Sequence, residues 1–91
     1  MIVINNNGEW AWNIEKYRNI RINKVDIDMY KIEVLLSEDD GDRTLYLATY
    51  TSNDNAKKAL VKLCNVLGYP ERYTCFEMPT DEELNKESKW W

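Results

Sequence analysis

Between Tyr30 and Leu67 the spacing of apolar residues changes once, from two to about 3.6, and that change sets most of what this chain can fold into. Tyr30, Ile32, Val34 and Leu36 alternate with Lys31 and Glu33, and Leu45 and Leu47 fall opposite Tyr46, Ala48 and Tyr50. A period of two belongs to strands with one buried face. The segment between them, Ser37 to Arg43, is polar and acidic and carries Gly41, so the two runs are expected to pair as an antiparallel hairpin closed by a seven-residue loop. At Thr51-Ser52-Asn53-Asp54 the pattern switches, and each of these side chains could cap a helix start. Ala56, Ala59, Leu60, Leu63, Cys64 and Leu67 follow at three- and four-residue steps, with Lys57, Lys58, Lys62 and Asn65 opposite. Gly68 and Pro70 then stop the run. The spacing predicts an amphipathic helix over 53–67 lying across one face of the sheet, with its lysines in water and Cys64 on its apolar stripe.

The flanking segments carry weaker versions of the same signals. Ile2-Val3-Ile4 is a β-branched run closed by Asn5-Asn6-Asn7-Gly8, residue types that tolerate positive φ in a tight turn. Trp10, Trp12 and Ile14 alternate beyond it, which predicts a first hairpin. Ile20-Arg21-Ile22 resumes the alternation, and Val25, Ile27 and Met29 either extend that strand or form a bulged loop. After the helix, Tyr73 to Met78 reads as a short strand or an extended segment. Thr80 and Glu83 then have capping-box spacing at the start of a second helix, to which only Leu84 and Trp90-Trp91 give an apolar side. The expected fold is α+β: an antiparallel β-meander of about four or five strands, packed by one amphipathic helix and followed by a short acidic C-terminal helix. It is read as a single domain over 1–91, with a strand-rich meander at 1–50, the helix at 53–67 and a C-terminal extension at 69–91.

Composition removes several function classes. Hydrophobic residues make up 44% and charged residues 31% of the 91, the usage of an ordinary globular domain rather than a disordered segment. No apolar run is long enough to span a membrane, and Met1 to Asn5 has neither a basic nor an apolar signal region, so a cytoplasmic protein without membrane contact is expected. Twelve basic and sixteen acidic residues leave a net charge of -4, with the basic residues scattered, so direct nucleic-acid binding is not expected. Histidine is absent, which removes the usual general base and the commonest metal ligand. Cys64 and Cys75 read as small buried hydrophobes in a reducing compartment, and Cys75 has no activating base beside it. Asp26 and Asp28 share a strand face, but a solvated strand accounts for them equally well. The acidic loop fails as a calcium loop because Leu36 and Leu47 would fill its first and last ligand positions. Neither catalysis, a cofactor nor a metal is expected.

Met1–Ile4, Asn13-Ile14, Ile20-Arg21-Ile22, Tyr30–Leu36, Leu45–Tyr50 and the Thr51–Leu63 helix together resemble a group of uncharacterised small proteins from prophages and mobile elements of low-GC Gram-positive bacteria. The resemblance implies a β-meander with one helix and a phage or mobile-element origin. It brings no catalytic residues. The chain from Tyr69 to Trp91 departs from that pattern.

Four Trp and six Tyr are more aromatic surface than one small core readily absorbs, which suggests that some of it is buried against another molecule, including a second copy. Trp10 and Trp12 are candidate anchors, although the simpler reading places their face in the core. Trp90 and Trp91 either fold back or dock on a partner. Glu38, Asp39, Asp40 and Asp42 in the loop, and Asp81, Glu82, Glu83 and Glu87 in the last helix, are candidate acidic contacts for a basic partner. The functional expectation is therefore a small non-enzymatic phage protein that inhibits a host protein with a basic nucleic-acid-binding surface, such as a CRISPR effector, in the manner of an anti-CRISPR. A second expectation is an oligomeric sponge for a signalling nucleotide, with aromatic stacking and Arg18, Arg21, Arg43 or Arg72 on the phosphates. A third is a structural or assembly module.

Overall fold

The computed structural model describes residues 1–14, 19–38, 41–68 and 75–86, with backbone alone for 36–38 and 41–43. The longest elements are those with the clearest alternation. Strands β3 (Asn19–Asp26), β4 (Met29–Glu38) and β5 (Gly41–Tyr50) form an antiparallel sheet in the order β3-β4-β5. Val25 to Met29 resolves into a strand end and a tight turn: β3 runs to Asp26, with an irregularity between Lys24 and Asp26, and β4 begins at Met29. The expected seven-residue loop is shorter. Pairing continues through Ser37↔Asp42 and Glu38↔Gly41, because backbone ladder bonds do not require apolar side chains.

A bulge corrects the facing of β5. Register steps from Ile32↔Ala48 to Glu33↔Tyr46, leaving Leu47 as an extra residue in its strand. A bulge places two consecutive side chains toward one face. Leu47 and Ala48 are accordingly both buried, and Tyr50, expected opposite Leu45 and Leu47, turns into the core with Ile32 and Val34.

Helix α1 (Asn53–Leu67) packs across this sheet and contacts all three of its strands. Ser52 is its N-cap, its hydroxyl accepting from the Asn55 backbone N–H at 3.1 Å, and Gly68 ends it by donating to the Cys64 carbonyl. The buried stripe consists of Asn55, Ala56, Ala59, Leu63 and Val66. Cys64 is one position, about 100° of helix rotation, from Leu63. It is exposed, as is Cys75, so neither thiol is the buried hydrophobe expected.

The remaining strands do not extend the meander. β1 (Ile2–Ile4), β2 (Ala11–Asn13) and β6 (Cys75–Glu77) form a second, mixed sheet in the order β2-β1-β6, with β1 antiparallel to β2 and parallel to β6. The fold is thus α+β, but a single meander of four or five strands is replaced, among the described residues, by two three-stranded sheets. Both sheets feed one core, in which Val3, Ile14 and Met78 join Ile32, Val34, Leu47, Leu63 and Leu84. The short acidic helix α2 (Asp81–Asn85) has the predicted capping box between Thr80 and Glu83 and packs on α1 through buried Leu84. No helix among the described residues is long and apolar enough to cross a membrane.

Candidate functional site

The β1–β2 hairpin closes with its own side chains. Asn5 donates its backbone N–H to the Trp10 carbonyl at 2.7 Å and accepts from the Gly8 N–H at 2.9 Å, with Gly8 at φ 75°. The Asn5 side-chain oxygen accepts from the Asn7 N–H, and the Asn7 side-chain oxygen from the Glu9 N–H, each at 2.9 Å. Asn6 points elsewhere. Its amide donates to the Thr49 carbonyl at 2.7 Å, and its oxygen accepts the Thr49 N–H at 3.3 Å. One side chain thereby does for Thr49 what a neighbouring strand would do, and it ties the turn to β5.

This clip leaves an open groove of about 330 Å³ between the hairpin and the face of the β3-β4-β5 sheet turned away from α1. From the hairpin come Asn5, Asn7, Trp10 and Trp12, and from the sheet Lys31, Tyr46 and Thr49. Trp10 is 60% exposed and Tyr46 48% exposed. The Lys31 ammonium stands 4.7 Å from the centre of the Tyr46 ring, within cation–π range. Trp12 packs against the core, and its indole N–H is buried without a hydrogen-bond partner. Along the face shared by Trp10, Trp12 and Ile14, exposure rises from the buried Ile14, through half-buried Trp12, to Trp10 in solvent. The core and anchor readings of this face are thus divided among its three residues.

Beside the groove on the same sheet face, Arg21 and Glu33 pair across β3 and β4. The Arg21 Nε lies 2.6 Å from a Glu33 carboxylate oxygen, and the Asn23 amide donates to the other at 3.4 Å. Glu33 is 1% exposed while the Arg21 side chain is 56% exposed. Two donors satisfy a carboxylate that the alternation alone would leave in water.

The acidic candidates are placed differently. Asp81 accepts from the Thr51 backbone N–H and, at 2.8 Å, from the Asn55 side-chain amide, while Glu83 closes the capping box with Thr80. Both carboxylates hold their own chain together, while Glu82, exposed like Glu83, makes no side-chain bond among the described residues. They also act on the core. The Tyr50 hydroxyl, donating to the Pro79 carbonyl at 2.7 Å, is held above the ordinary tyrosine pKa, chiefly by burial and then by the charges of Asp81 and Glu83. Glu38 and Asp42 are placed by backbone alone, at the paired end of the β4–β5 hairpin. Asp39, Asp40, Glu87, Trp90 and Trp91 lie outside the described residues, as do Arg18 and Arg72.

The structure therefore does not assemble the candidates into one site. It brings Trp10 and Trp12 together with five residues that sequence reasoning did not select. Asn5 and Asn7 read only as turn formers, Lys31 and Tyr46 only as positions opposite the apolar face, and Thr49 carried no reading of its own. The missed signal was the coincidence of an outward Tyr and an outward Lys on neighbouring strands with an aromatic hairpin. Comparison with protein-family models, with curated proteins and with solved structures finds no match.

Proposed function

We propose that this protein is a non-enzymatic binding protein that docks a partner protein on the Trp10–Tyr46 groove. The observation carrying this reading is the exposure of Trp10 and Tyr46, 60% and 48%, at one groove with polar walls. Large aromatic side chains beside a polar rim supply most of the energy of many protein interfaces. The finer reading, that the partner is a host defence nuclease with a basic nucleic-acid-binding surface and that binding inhibits it, draws on the resemblance to prophage proteins and on the net charge of -4. In that reading Glu82, the carboxylate of α2 not engaged by Thr80, Thr51 or Asn55, is the acidic contact that α2 contributes.

The nucleotide-sponge reading is second, favoured by the Lys31 ammonium beside the Tyr46 ring, where a stacked base would place its phosphate near a cation. Capture from a low-GC Gram-positive lysate, with wild type and Trp10→Ala in parallel, separates the two. A stoichiometric protein retained by wild type and lost from the variant is the expected result. A nucleotide released on denaturation, with no retained protein, would replace the first reading with the second.

A further inference from the structure

Donors outnumber acceptors in the groove. The side-chain oxygens of Asn5 and Asn7 are both occupied by backbone N–H groups of the turn, so each residue presents its NH₂ group, and neither NH₂ has a partner. Asn5 is 9% exposed as a residue, and its amide nitrogen is not among the buried unpartnered atoms, so it keeps access to the groove. The Trp12 indole N–H is buried beneath the groove without a partner, and Lys31 adds an ammonium that stands over the Tyr46 ring. No carboxylate lines the groove among the described residues, so its side-chain acceptors are the Tyr46 and Thr49 hydroxyls and the second lone pairs of the Asn5 and Asn7 oxygens, fewer than its side-chain donors.

That imbalance selects among occupants. An ordinary extended peptide brings an N–H with every carbonyl, and those N–H groups would face donors and lose their water. Saccharide hydroxyls also donate, and sites for them need carboxylate or amide acceptors in greater number than this groove's described side chains offer. A nucleotide carries more negative charge than Lys31, the one cation lining the groove among the described residues, answers. Proline brings a carbonyl without an N–H, presents a flat apolar ring, and enters already extended, so little ordering entropy is lost. Exposed Trp and Tyr faces are the surfaces on which such rings dock. Lys31, the one charged residue lining the groove among the described residues, adds a preference for a carboxylate near the prolines.

We propose that the groove takes an extended, proline-containing segment of the partner protein, its carbonyls accepting from the Asn5 and Asn7 amides, its rings against Trp10 and Tyr46, and an acidic side chain at Lys31. This rests on the docking reading above and gives its chemistry.

The test uses the full chain and three short blocked peptides: prolines with two aspartates, the same peptide with alanine for proline, and the same with lysine for aspartate. In ¹H–¹⁵N spectra the first peptide is expected to shift the Asn5 and Asn7 side-chain amides and the Trp10 and Trp12 indole N–H signals. Trp10→Ala should weaken it on the order of thirtyfold, as for an aromatic hot spot. Trp10→Phe should recover part of that loss, and Lys31→Ala should cost about threefold, as for an exposed ion pair. Equal binding of the alanine peptide, or shifts confined to other residues, would overturn the proposal. So would a cyclic dinucleotide or an oligosaccharide that moves these signals when the proline peptide does not. If no peptide binds while lysate capture still depends on Trp10, the proline assignment falls and the docking reading stands. If neither holds, both fall.

Discussion

The Tyr50 hydroxyl donates to the Pro79 carbonyl at 2.7 Å, joining the last residue of β5 to the residue before the cap of α2. The bond is buried and links segments distant in sequence. Tyr50→Phe removes the donor and leaves the carbonyl unpaired, so a loss of about 1–2 kcal/mol is expected in urea unfolding. The phenol pKa is raised in the native state, so the unfolded chain ionises first, near the ordinary value of 10.0. The native state then holds more protons, and this contribution is complete below pH 10 and declines as pH rises from there toward the native pKa. Wild type should lose more stability than Tyr50→Phe between pH 9 and pH 11, and equal losses would contradict the burial of this hydroxyl.

Asn55 is the corresponding link between the helices. Its amide donates to Asp81 at 2.8 Å and to Asn85 at 3.0 Å from a buried position in the first turn of α1. Asn55→Ala should cost about 1–3 kcal/mol. Hydrogen exchange at the Leu84 amide, which donates to the Thr80 carbonyl, should accelerate more than exchange in the middle of α1.

Glu33 is the buried charge of the sheet, and Arg21 is its main partner. Arg21→Ala strands a carboxylate with only the longer Asn23 contact, at a cost of about 2–3 kcal/mol, held below that of a fully buried pair because the Arg21 side chain is itself largely in solvent. Combining it with Glu33→Leu should recover most of that loss. A double variant as unstable as Arg21→Ala alone would show that Glu33 serves packing rather than pairing.

Trp10 and Leu47 should separate surface from core in thermal melts. Trp10→Ala, at an exposed position, should change stability by no more than about 0.5 kcal/mol. Leu47→Ala, at the bulge and fully buried, should cost about 2–5 kcal/mol. A large loss in the first variant would mean that Trp10 braces the hairpin.

Signals local to one element were legible in the sequence. Ser52 and the Gly68 stop bracketed α1 at its observed limits, and Thr80 with Glu83 marked the start of α2. Ile32 and Val34 were readable as core because both fall on the strand face that the period of two sets aside, and both are fully buried. What escaped depends on partners distant in the chain. The period-two pattern cannot announce a bulge, so Tyr50 was assigned to the wrong face. The parallel pairing of β1 with β6 leaves no mark in either three-residue strand. Cys64 fits the three- and four-residue spacing, yet the buried stripe runs through its neighbour Leu63. The groove was least legible, since its walls come from two hairpins brought together by the Asn6 amide.

The pairing of Ile2 with Cys75 also sets a timetable. On a ribosome β1 emerges well before its parallel neighbour, and until Glu77 is out the small sheet has only the two short strands of a hairpin, held by the Asn6 clip and by Val3 and Ile14 but open along one edge of β1. The groove borrows half its wall from that hairpin, so recognition matures late, after the β3-β4-β5 sheet and α1 could already have docked. A nascent or truncated chain ending before Cys75 would keep the β3-β4-β5 sheet and α1 yet lack the strand that flanks the groove's hairpin, and the docking proposed above should weaken with it.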